Sequence, residues 1–326
     1  MNRENWLKGL KYTVAAVIAI MIADLIGLKY SATAGIITIL SIQNTKKETF
    51  KVAGRRGTAF VCALVISAIC YKMFGFTIAA FAVYLFIFSC VCLKFRWLEA
   101  IATDSVLITH FLIEKNMEPE LLLNEILVFV VGAGIGILAN LHLHRKQEMF
   151  EELAKRADDQ MKQTIYAMKM QLLPRKEALQ SEAQYPIILK QLETLDTALA
   201  ALKDCAYKNW NNTLFKTSVY ETEYASMRSR QAEVLHLIYA SMEMLESIPK
   251  QAQMVAELLG KIADEYNRDN TVEMLLEELK VFYETMRQEE LPQSRAEFEA
   301  RAVLFYVLKQ IEEFLKIKRK FILMMG

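Results

Sequence analysis

Apolar residues dominate the chain from about Leu10 to about Leu143, and polar residues appear there only as short interruptions. The interruptions leave six apolar runs, near Leu7–Leu28, Tyr30–Gln43, Gly57–Phe74, Gly75–Leu93, Trp97–Ile113 and Leu121–Leu143. Each is near the roughly 20 residues that carry a helix across a hydrocarbon core, the second and fifth being shortest. A soluble bundle would need polar faces on these helices, and they have almost none. After Arg145 the pattern changes. Met149, Leu153, Met161, Ile165, Met168 and Leu172 recur at helical spacing with charges between them. Pro174, Pro186, Pro249 and Pro292, a turn around Trp210 and another at Asn267–Asn270 break this part into five or six helices, the last being Arg295–Met325. No run of Val, Ile and Thr alternates with period two, so no sheet is expected. The pattern predicts an all-α chain: a six-helix transmembrane domain over 1–144, then a cytosolic helical bundle over 145–326.

Charge orients the first domain. The stretch Ser41–Thr58 reads as a loop with five cations and one anion. Cation-rich loops beside a span stay on the cytoplasmic side. Lys94 and Arg96 mark a second such connection, and His142–Lys146 closes the sixth run on the same side. The opposite connections carry only Lys29, Lys72 and Lys115, and one of them, Glu114–Glu120, is acidic. Six crossings with both ends cytoplasmic satisfy this distribution, which places the protein in the plasma membrane. No small-x-small cleavage site follows the first run, so it reads as a retained anchor.

Composition sharpens the division. Residues 1–144 hold 13 Lys+Arg and 9 Asp+Glu, and the remainder holds 26 and 29. Nine of eleven glycines fall at or before Gly136. Glycine-rich, charge-poor sequence followed by the reverse suits a membrane domain and then a soluble one. The near-neutral total gives no reason to expect a nucleic-acid partner. Four of the five cysteines lie in the apolar runs without Cys-x-x-Cys spacing, which points to reduced, buried thiols and to no metal site. The basic, Met-rich end from Lys316 to Met325 suits either contact with the inner leaflet or packing with an exposed basic face.

No enzyme constellation or cofactor motif is visible. Gly132-Ala133-Gly134-Ile135-Gly136 lies inside a span with the wrong spacing for a dinucleotide loop. Gly132, Gly136 and Asn140 instead share one helix face, which allows close packing. The residues that suggest chemistry are ionisable groups at span depth, where a charge needs a partner or a wet cavity. Asp24 and Asp104 are the first candidates for a substrate or proton pathway. Glu99, Thr103 and His110 fall within about 40° of one another on a helical wheel, with Asp104 roughly 100° from Thr103. Glu99 and His110 also suit the two interfaces, where they would snorkel. Lys11, Arg55, Arg56, Lys94 and Arg96 gather on the cation-rich side, where they could concentrate anions at a cytoplasmic mouth or serve topology alone.

Lys11-Tyr12 with alanines in the first run, a polar second run ending at Gln43, and Arg55-Arg56-Gly57-Thr58 opening the third resemble the bacterial aromatic acid exporter family. That family sits within the fusaric-acid-resistance-like superfamily, and the six-span block with a long helical C-terminal domain matches its layout. The resemblance implies export of small, often aromatic, organic anions. Larger relatives carry two six-span blocks, so a single block implies a homodimer. Without an ATP-binding motif, a secondary transporter is the expectation. Plant anion channels share the layout, which keeps a channel open, and a membrane-anchored sensor or scaffold is the non-transporting alternative.

Overall fold

The computed structural model describes residues 3–141, 146–173, 181–213, 219–265 and 272–325. The expected break at Pro174, the closing segment His142–Arg145 and the turn at Asn267–Asn270 lie outside them. Every regular element among the described residues is a helix. They separate into two compact units, Met1–Arg145 with Asn211–Lys216, and Lys146–Trp210 with Thr217–Gly326.

The first unit holds α1 (Arg3–Leu25), α2 (Ser31–Ser41), α3 (Lys46–Phe74), α4 (Ile78–Phe95), α5 (Leu98–Glu114) and α6 (Pro119–Leu141). Of these, α1, α3, α4 and α6 are long and apolar enough to cross a membrane. Helix α2 has 11 residues, which rise about 16 Å against a core of about 30 Å. The sequence also places a loop over Ser41–Thr58, whereas the chain is helical from Lys46 onward. Lys, Arg and Glu are good helix formers, and the side chain of Thr45 caps α3 by accepting from the Glu48 amide at 3.4 Å. Tight turns on either side use glycines in the left-handed region, Gly27 (φ 79°) after α1 and Gly75 (φ 68°) after α3.

These six helices pack as two groups of three. One is α1, α2 and α6, and the other is α3, α4 and α5. Ala19 and Ala23 of α1 are wholly buried in the first group. Gly132 and Gly136 let α6 lie directly on α2: a Cβ on either would come within 2.7 Å of Ile37 or Ser41. The second group is filled by Ala63, Tyr84, Phe88, Ala100, Ile108 and Phe111. The groups meet along a seam where α3 touches α6 and α2 touches α3 and α5. Large apolar side chains such as Met21, Val61, Ile69, Ile78, Phe86 and Val130 point outward, as a lipid-facing surface requires.

The second unit holds α7 (Gln147–Leu172), α8 (Ser181–Asn211), α9 (Tyr220–Glu243), α10 (Ala252–Asp264), α11 (Glu273–Gln288) and α12 (Arg295–Met325). Helix α8 runs through Pro186, where the sequence suggests a break. Helix α7 packs on α10, and α9 on α12. A continuous core runs through Met161, Ile165, Leu195, Leu235, Leu258 and Leu308. Helix α12 buries Phe314, Leu315, Lys318 and Phe321, so packing uses its basic end.

Candidate functional site in the helix seam

The membrane unit brings its polar side chains together at two places, both reached from α5. The first is at the cation-rich end, where α1 and α3 begin and α2 ends. Arg56 of α3 is 4% exposed. Its guanidinium donates to Ser41 Oγ of α2 at 3.4 Å, across the seam, and its Nε has no hydrogen-bond partner. Asp104 of α5 is 0% exposed. One of its oxygens accepts from Thr103 Oγ1 at 3.3 Å, and the other, Oδ2, has no partner. Arg56 and Asp104 feel each other's charge but form no ion pair. Arg55, next in sequence, is engaged elsewhere: it pairs with Glu99 at 3.3 Å and donates to the carbonyl of Arg96 at 3.4 Å.

Beside this group, Asn140 of α6 joins three elements. It accepts from Lys11 Nζ of α1, and donates to the Gln43 carbonyl at 2.7 Å and to Thr49 Oγ1. Placing Asn140 one turn beyond Gly136 is what lets it reach the end of α2.

The second place lies toward the other end of α5. His110 Nδ1 is 2.7 Å from Glu125 Oε2 of α6, and both side chains are buried. The ring of Tyr30 stacks on His110 with centroids 3.8 Å apart and planes at 7°. Tyr30 donates to Glu114 at 3.0 Å, and Glu114 pairs with Lys29 at 3.3 Å. Asn124 donates to Glu125 Oε1 at 2.9 Å and exchanges hydrogen bonds with the backbone of Lys29. A buried imidazole–carboxylate pair thus connects to a partly exposed ion pair through one tyrosine. His110 lies six positions after Asp104 on α5, about 9 Å along the axis.

The sequence-derived candidates therefore divide. Thr103, Asp104 and His110 are buried on α5. Glu99 is half-buried and held by Arg55, so the wheel stripe breaks into two separate sites. Asp24 is exposed in the last turn of α1. Of the five cations, Arg56 is buried, Lys11 is tied to Asn140, Arg55 to Glu99, and Lys94 and Arg96 are exposed. Glu125, Tyr30, Ser41 and Thr49 were not singled out from sequence. Glu125 had a usable signal, being the lone carboxylate inside the apolar run Leu121–Leu143.

The second unit carries its own buried polar group. Arg228 of α9 lies 2.8 Å from Asp158 of α7 and donates to Gln231 at 2.8 Å. Gln231 donates in turn to the Phe314 carbonyl of α12 at 2.9 Å. Tyr224 donates to Asp158 at 2.6 Å. Burial, with the nearby Asp158 carboxylate adding to it, pushes the Tyr224 phenol up to about 12, so it stays a neutral donor at ordinary pH.

Membrane-length apolar helices ahead of a polar helical bundle define a multi-helix membrane protein. Residues 6–143 match the family model "Aromatic acid exporter family member 1", and residues 147–319 match "Putative aromatic acid exporter C-terminal domain". The chain belongs to the aromatic acid exporter family. It is 26% identical over 312 residues to the uncharacterized protein YqjA of Bacillus subtilis (strain 168), covering 96% of this chain and 94% of that one. A solved structure, a "putative membrane protein from Clostridium difficile 630", is 26% identical and matches 53% of this chain and 98% of its own, with a TM-score of 0.44.

Proposed function

We propose that the protein is a secondary, ATP-independent exporter of small organic acids, aromatic ones foremost, acting as a homodimer in the plasma membrane. The six helices of the first unit lie in it, the 11-residue α2 reaching through only about half its depth, with both chain ends and the C-terminal bundle in the cytoplasm. The observation that carries this reading is Asp104, a fully buried carboxylate on a helix within an apolar unit, with one oxygen unpartnered. A carboxylate kept there for structure alone would be closed by an ion pair. Left open, it suits taking up and releasing a proton during transport. The His110–Glu125 pair offers a second protonatable group farther along the same helix. Family membership supports the choice of organic acids.

The test is efflux of radiolabelled benzoate from proteoliposomes under an imposed pH gradient. Proton-driven efflux by the Asp104→Asn protein is expected to fall to the passive leak. An unchanged rate would remove Asp104 from the coupling step.

A further inference from the structure

We infer that Arg56 and Asp104 together form the site for the substrate's carboxylate, with Arg56 holding the anion and Asp104 sharing a proton with it. This rests on the exporter reading and assigns it residues. Both side chains are more than nine-tenths buried, and each has a polar atom without a hydrogen-bond partner, Arg56 Nε and Asp104 Oδ2. They lie within each other's field but do not close into an ion pair. Buried polar atoms left without partners in this way each cost stability. A third group that accepts from the guanidinium and shares a hydrogen with the acid would satisfy both. A monocarboxylate has two oxygens suited to these two tasks.

The neighbouring cation cannot substitute. Arg55 pairs with Glu99 and donates to the Arg96 carbonyl, although its Nε too lacks a partner, which leaves Arg56 as the fully buried arginine of this unit without an ion pair. The titratable groups around Asp104 are Arg56 on α3, Tyr84 and Cys92 on α4, and Glu99 on its own helix. Helix α2 contributes none. His110 and Glu125 lie nearly two turns farther on.

Two carboxylates brought side by side do not both stay ionised. The anion therefore binds the form in which Asp104 carries a proton, the acid donating that hydrogen to the bound carboxylate, and no covalent bond changes. The anion and the proton bind cooperatively, each tightening the other.

The experiment is equilibrium binding of radiolabelled benzoate to the full-length protein in detergent from pH 5 to 10. The wild type is expected to lose affinity by up to about tenfold per pH unit where Asp104 titrates. Asp104→Asn should bind benzoate with that dependence gone. Arg56→Gln should bind on the order of a hundredfold more weakly at every pH. Arg56→Lys, which keeps the charge, should fall between and retain the pH slope. Thermal melts show that each variant is folded.

Wild-type affinity in Arg56→Gln, an unchanged slope in Asp104→Asn, or no saturable benzoate binding by the wild type would each overturn the assignment. Efflux separates this from the wider reading. Flux without the binding pattern removes the site and keeps the exporter, whereas the binding pattern without flux does the opposite.

Discussion

Arg228 is the largest fully buried side chain among the described residues, and the hydrogen-bond group it forms with Asp158 and Gln231 joins three helices. Removing one member of such a group leaves the other charge buried, which costs about 3–5 kcal/mol. Asp158→Asn is therefore expected to lower the unfolding free energy of the second unit by that order, read in thermal or urea melts. Replacing Asp158 and Arg228 together with Leu and Met should cost less than the single change. If the double variant is the less stable, the ion pair itself is stabilising rather than merely compensated. Glu312 of α12 behaves differently because it lies near the surface. Lys316 at 2.6 Å, Lys309 at 3.1 Å and Tyr283 at 3.0 Å hold its carboxyl down to about 2, from an ordinary 4.5. A lowered value means the contribution is present above about 4.5 and is lost as pH falls through about 2. The stability difference between wild type and Glu312→Gln should accordingly be constant above pH 5 and shrink over that window. A difference that persists at pH 2 would show it is not electrostatic.

At the scale of the helix, α6 on α2 gives the most direct test of packing. A methyl on Gly132 would sit 2.7 Å from the Ala34 carbonyl and from Ile37 Cβ, while one on Gly134 would meet nothing within 4 Å. Gly132→Ala should destabilise the membrane unit by about 1–3 kcal/mol through overpacking. Gly134→Ala should be neutral or slightly stabilising, since alanine favours helix by about 0.5–1 kcal/mol. Equal melting temperatures for the two variants would contradict this packing of α6 on α2. The elements themselves were legible in the sequence because apolar run length and amphipathic period are local properties. Arg295–Met325 was read to the residue. The cationic stretch Lys46–Arg56 was misread as a loop because charge marks the membrane side without marking helix or coil. The candidate site was half legible. A buried ionisable residue announces itself on a single helix, as Asp104 and His110 did. Its partner lies across a helix contact that no local pattern encodes, as Glu125 does for His110 and Ser41 for Arg56.

For the whole molecule, the short α2 bears on the proposed transport. Its two ends fall at the two polar groups, Tyr30 against His110 at one and Ser41 against Arg56 at the other. Eleven residues span about 16 Å, so the apolar barrier along the seam is about half the thickness of the hydrocarbon core. A thin barrier between two polar ends is what a proton or small anion needs in order to cross by modest rearrangement. This requires the two ends to face opposite compartments, which the cation distribution supports and labelling can test. In a cysteine-free background, Lys115→Cys, exposed after α5, should react with a membrane-impermeant maleimide on intact cells. Lys51→Cys on α3 and Lys155→Cys on α7, both exposed, should react only after permeabilisation. Labelling of Lys51→Cys from outside would reverse the orientation, and Arg56 and Asp104 would then face the medium rather than the cytoplasm. Outside labelling of Lys51→Cys and Lys115→Cys alike would put an even number of crossings between them. The Tyr30 and Ser41 ends of α2 would then open to one compartment, and a thin barrier between two sides would not exist.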